Sequence, residues 1–217
     1  MKKLSIALAA VLAMAGAQAG TVSFSASKVL TTTNWTDNLS LSQFDASLGI
    51  LTGVSFSYSG SVSSNFQLES LDAAPSIVTV NAAGQLMFSG PFSDTLNILG
   101  STTQALSAFD GAIDFGGTSG AIVGPVTGSQ GGLFTVAGSL ASFIGAGAFN
   151  VGIAGTGSSN ATGAGNLITQ ISTRAGADVT VTYTFDAPTQ RVPEPSGLAL
   201  VGLALAVAGL VSRRRKA

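Results

Sequence analysis

Apolar residues recur at every second position in the clearest segments of this chain. Val22, Phe24 and Ala26 alternate with Ser23 and Ser25. Val54, Phe56 and Tyr58 alternate with Ser55 and Ser57. Val179, Val181, Tyr183 and Phe185 alternate with Thr180, Thr182 and Thr184. A period of two places the apolar side chains on one face of a strand and the hydroxyls on the other. Such strands, divided by clusters of Gly, Asn, Asp and Ser, predict an all-β protein built as an antiparallel, jelly-roll-like β-sandwich. Parity also predicts one hairpin. Val54, Phe56, Tyr58, Val62, Phe66 and Leu68 all fall on even positions. A two-residue turn at Ser59-Gly60 would pair Phe56 with Ser63 and mix the faces. An odd loop, such as Ser59-Gly60-Ser61 with Tyr58 opposite Val62, keeps the apolar faces together. Residues 116–165 are Gly-rich without a strict period, so no repeat or β-helix is expected. No Pro-rich or charged linker divides the region, which predicts one domain.

The two ends break this pattern. Met1-Lys2-Lys3 is a short positive start, Leu4 to Gly16 is an apolar run, and Ala17-Gln18-Ala19 offers small residues where a signal peptidase reads them. This is the layout of a secretory signal peptide over residues 1–19, cut between Ala19 and Gly20. At the other end, Val192-Pro193-Glu194-Pro195 is a stiff, extended segment, because its prolines fix φ and bias the preceding residues away from helix. Gly197 to Val211 contains only Gly, Leu, Ala and Val, and Arg213-Arg214-Arg215-Lys216 follows. A helix over about 196–212 would span roughly 25 Å, short against an apolar layer of about 30 Å, with arginine snorkelling covering the gap. The cations at both ends stay on the cytoplasmic side, leaving the region between them outside. The expectation is therefore an N-terminal signal helix (1–19), a β-sandwich passenger (20–191) and a C-terminal tail (192–217) with one transmembrane helix.

Val-Pro-Glu-Pro, an apolar helix and a basic cluster, in that order over about 25 residues (Val192 to Lys216), resemble the PEP-CTERM sorting domain. The resemblance implies recognition by a membrane-bound exosortase, cleavage near the Pro-Glu-Pro motif and delivery to the cell surface or extracellular matrix. It also implies an association with exopolysaccharide and biofilm production.

Charge changes the picture once the ends are set aside. The passenger holds three cations (Lys28, Arg174, Arg191) against nine acids, so the near-neutral chain hides an acidic passenger of net charge −6. It has no basic patch for a phosphate backbone, which excludes nucleic acid as a partner. All twelve Phe, Trp35, Tyr58 and Tyr183 lie in the passenger, as expected of a folded core. The chain lacks Cys and His, which removes disulfides, thiol nucleophiles, Cys/His zinc sites and a histidine base.

A second resemblance covers roughly residues 22–186. Phe44-Asp45-Ala46-Ser47-Leu48-Gly49 with Leu51 and Val54 resembles the opening motif of the choice-of-anchor E domain. Phe109-Asp110-Gly111-Ala112-Ile113-Asp114-Phe115 with Gly117, Ser119 and Gly120 is similar to its middle motif, and Val179 to Tyr183 to its closing strand. The family implies an extracellular passenger and carries no catalytic residues. Among candidate chemistry, Asp110 and Asp114 form the best carboxylate pair, as a glycosidase needs, yet beside Gly111, Gly116 and Gly117 they also read as turn residues. Calcium takes such loop oxygens, but no EF-hand spacing is present. Trp35, among Thr33, Asn34, Thr36, Asp37 and Asn38, reads either as a platform for a sugar face or as a strand-edge core residue. The reading is a non-enzymatic exported protein without metal or cofactor. Its partners are signal peptidase, exosortase and exopolysaccharide, and its rival is a carbohydrate-binding module using Trp35.

Overall fold

A computed structural model describes residues 19–188 and 202–205. Gln18–Ala187 forms one compact unit. The signal segment with Ala17, the sorting residues Val192 to Pro195, the basic residues Arg213 to Lys216 and nearly all of the expected membrane helix lie outside the described residues. Residues 202–205 are helical, and among the described residues no helix is long and apolar enough to cross a membrane.

The passenger is an antiparallel β-sandwich. Its strands are β1 (Ala19–Thr32), β2 (Trp35–Ser42), β3 (Ile50–Ser70), β4 (Ser76–Ser89), β5 (Asp94–Leu106), β6 (Gly120–Thr135), β7 (Ala148–Gly157), β8 (Asn160–Thr162) and β9 (Leu167–Asp186). One sheet has the order β1-β9-β3-β6; the other has β2-β7-β4-β5, with β8 continuing the β7 side of β4. The first strand therefore pairs with the last, and β9 sits between β1 and β3.

The period of two is what builds the core. Val54, Phe56, Tyr58, Val62, Phe66 and Leu68 from β3 meet Val78, Val80, Leu86 and Phe88 from β4, and Val179, Val181 and Tyr183 from β9 lie on the same inner side. Hydroxyls point outward: Ser23 bonds Thr182 and Ser25 bonds Thr180 across β1 and β9, each at 2.8 Å.

The expected hairpin does not form. β3 runs unbroken for 21 residues through Ser59-Gly60-Ser61. Along it Tyr58 faces Gly132 and Val179, and Val62 faces Gly128 and Ala175. The even residues share a face because they belong to one strand. Gly60 is a close-approach residue: a Cβ there would collide with Leu86 Cδ1 of the facing sheet and crowd Ile98 Cδ1.

Candidate functional site

The expected signal cleavage point lies at the start of β1. Ala19 pairs with Asp186 and Gly20 with Phe185, and Asp186 also pairs with Ile50. A Cβ on Gly20 would run into the Phe185 ring, so glycine suits the residue that follows the expected cleavage point. Both chain exits, after Asp186 and before Ala19, therefore leave from the same end of the β1-β9-β3-β6 sheet. Gly49, with φ of 148°, turns the chain into β3 at this end, where a side chain would strike the Asp186 carbonyl. Asp45, from the opening motif, caps the short 3₁₀ turn Ala46–Leu48 by accepting the Ser47 N–H at 2.8 Å. Phe44 beside it is fully buried, with its ring 5.7 Å from Tyr183 and 5.2 Å from Phe185.

The loop of Asp110 and Asp114 lies at the opposite end of β3, where Glu69 pairs with Gly120. From Ile50 to Glu69 the strand extends on the order of 60 Å. Asp110 accepts the N–H groups of Ala112 and Thr118, both at 3.1 Å. Asp114 accepts Gly116 N–H at 2.8 Å. Each acid thus closes its own turn. The N–H donors of Ala112 and then Thr118 hold the Asp110 carboxyl below the usual carboxylate range. A glycosidase acid needs the opposite shift, because it must keep its proton near neutral pH.

The residue that organises this loop, Glu69, was not singled out by pattern. Its strand parity points it away from the core, yet it is fully buried because the 107–119 loop folds over that end of the sheet. Its Oε2 accepts Phe115 N–H at 2.8 Å, and its Oε1 accepts the buried Ser119 hydroxyl at 2.6 Å. Phe115, held at φ of 58°, is one of two non-glycine residues in the left-handed region among the described residues. Among the described residues no three acidic, His or Cys side chains gather as a metal-ligand set.

Trp35 is half-buried at the start of β2, opposite Gly155 of β7. A Cβ on Gly155 would meet the Trp35 ring, so the indole rests on bare backbone. The Lys28 ammonium sits over the ring, 5.6 Å from its centroid, and reaches the Asp37 carboxylate at 2.7 Å. That bond, ahead of the Asn38 N–H, holds the Asp37 carboxyl low. The indole Nε1 is buried with no hydrogen-bond partner. A sugar stacking on this ring would have to displace Lys28.

No curated protein matches the chain. Among solved structures, that of the Gx strain of infectious bursal disease virus aligns at 12% identity and TM-score 0.13, over 90% of this chain and 50% of that one. A T13 particle of the same virus aligns at 12% identity and TM-score 0.14, over 86% and 45%. The chain thus spans about half the length of these chains. Residues 191–216, in contrast, match the PEP-CTERM protein-sorting motif, which marks the chain as an exported protein sorted by an exosortase.

Proposed function

We propose that the protein is a non-enzymatic component of the cell surface or extracellular matrix, linked to exopolysaccharide or biofilm. A signal peptidase cuts it between Ala19 and Gly20, and an exosortase cuts it near Val192-Pro193-Glu194-Pro195. The sorting motif at residues 191–216 carries this reading. Three features of the passenger support it. Removing residues 1–19 leaves all of β1 except its first residue, with Gly20 already in register with Phe185. The orders β1-β9-β3-β6 and β2-β7-β4-β5 support a jelly-roll passenger, and the Phe44–Gly49 and Phe109–Gly120 motifs a choice-of-anchor E one. The acids that would serve catalysis are engaged by backbone N–H groups instead.

The sorting step is tested by fractionating cells that make the protein with and without an exosortase. With the enzyme, the passenger is expected at the surface and in the medium. Without it, the full chain is expected to stay in the membrane fraction. The same distribution in both cells would overturn the reading.

A further inference from the structure

The outer face of the β2-β7-β4-β5 sheet carries a different chemistry from the rest of the surface. Its outward strand positions include Gln85, Met87 and Asn81 on β4, Asn97 and Leu99 on β5, and Thr156 on β7. None of its strand positions is charged. Two amide pairs span neighbouring strands. Gln85 Nε2 donates to Asn97 Oδ1 at 3.0 Å, and Asn81 Nδ2 donates to Asn160 Oδ1 at 2.9 Å.

Each amide has two donors and an acceptor oxygen with two lone pairs. One bond within a pair therefore leaves polar atoms on offer. Gln85 keeps its carbonyl oxygen and Asn97 its amino group, an acceptor and a donor on directly paired residues of neighbouring strands. A vicinal diol has the matching pattern, since one hydroxyl donates while its neighbour accepts. The Gln85–Asn97 pair lines a depression of about 520 Å³ together with Leu99, Thr156 and Ser158. Leu99 is 65% exposed and Met87, two residues beyond Gln85, is 50% exposed. These apolar side chains flank the amide pair, where the C–H faces of a sugar ring would rest. Amides held in place by their own bond lose little freedom on binding, which favours affinity.

We propose that this face, centred on Gln85 and Asn97, binds a neutral polysaccharide. Charge selects the occupant: the face has no cation to hold a polyanion, and the passenger has nine acids against three cations. The proposal deepens the surface-protein reading by naming a ligand class, and it moves the sugar contact away from Trp35.

The test uses the full-length chain in detergent, run in native gels cast with a mixed-linkage β-glucan, a galactomannan, hydroxyethyl cellulose or alginate. Retardation by at least one neutral polymer, and not by alginate, is expected. The double variant Gln85→Ala/Asn97→Ala, checked for its fold by circular dichroism, is expected to bind at least about tenfold more weakly, as the loss of two hydrogen bonds implies. Ser25→Ala/Ser57→Ala, on the outer face of the other sheet, is expected to bind as the parent does. Four outcomes overturn the proposal: no retardation by any neutral polymer, retardation by alginate alone, undiminished binding by the double variant, or a dimer by light scattering that the double variant abolishes. A chain that binds none of these polymers can still be sorted, and an unsorted chain can still bind them, so the two readings fail separately.

Discussion

The long strand β3 crosses two different interiors. In its first half, Phe56 and Tyr58 enter a layer of aromatic rings: Phe56 packs against Phe92, Phe143 and Phe149 at centroid distances of 5.1, 5.9 and 6.0 Å. The one polar atom Tyr58 carries is satisfied at the rim, its hydroxyl donating to Asp94 at 2.6 Å. In its second half the strand buries Ser64, Glu69 and Ser70. Ser64 donates to Thr173 at 3.0 Å, Thr173 to Ser159 at 2.8 Å, and Ser159 to the Ala83 carbonyl at 3.2 Å. The first half is held by contact area, which is forgiving of direction. The second adds to the buried Val62, Phe66 and Leu68 a set of polar groups that must each find a partner, because a buried unpaired group is costly.

The contrast can be broken at either half. Phe56→Ala removes a fully buried ring at the centre of the aromatic layer. A loss of about 4 kcal/mol is expected by denaturant titration, with the whole passenger unfolding more readily. Glu69→Leu keeps the bulk but orphans Phe115 N–H and the Ser119 hydroxyl. It is expected to cost about 3 kcal/mol, and hydrogen exchange is expected to rise first at Phe115 and across 107–119. Exchange rising equally through the aromatic half would mean that the two halves are not separate.

Gly60→Ala probes the junction between them. In the continuous strand the new methyl group meets Leu86, so destabilisation of about 2 kcal/mol is expected by the same titration.

Alkaline pH separates the halves least sharply. Tyr58, bonded to Asp94, and Tyr183, buried, are both pushed up to about 12. Their folded values lie above the unfolded value near 10, so full stability is present below pH 10. It is lost as pH rises toward 12, with the buried Tyr183 contributing more than Tyr58, whose hydroxyl lies at the solvent-screened rim. Tyr58→Phe should make the alkaline loss shallower without removing it. On the acid side Asp94, held low first by the Tyr58 hydroxyl, and Asp110, held low by Ala112 N–H, contribute stability above the unfolded value near 4. That contribution is lost as pH falls through their folded values, and the midpoint of acid unfolding checks it.

The same two halves differ in how far they were legible. The alternation that marks Val54, Phe56 and Tyr58 needs no knowledge of partners, and it placed those side chains correctly on one face. It went wrong only in reading Ser59-Gly60-Ser61 as a turn. The composition is turn-like, and strands of about six residues are the norm. The even parity running without a slip from Val54 to Leu68 was the signal for a single strand. Glu69 gave no comparable signal. Its burial depends on a loop 46 to 50 residues away, whose Phe115 N–H and Ser119 hydroxyl it binds. Trp35 falls between its two readings, half-buried on Gly155 under Lys28, a neighbour that only the β1–β2 connection supplies. The terminal signals are local strings of residues, which is why the sorting motif could be read without any fold.

The central claim, export with cuts at both ends of the passenger, is tested most directly by the intact mass of the protein recovered from the surface and medium of cells that carry an exosortase. The account predicts a mass that starts at Gly20 and ends near Pro195. A mass that still includes Arg213 to Ala217 would contradict it and make the chain a permanently anchored membrane protein.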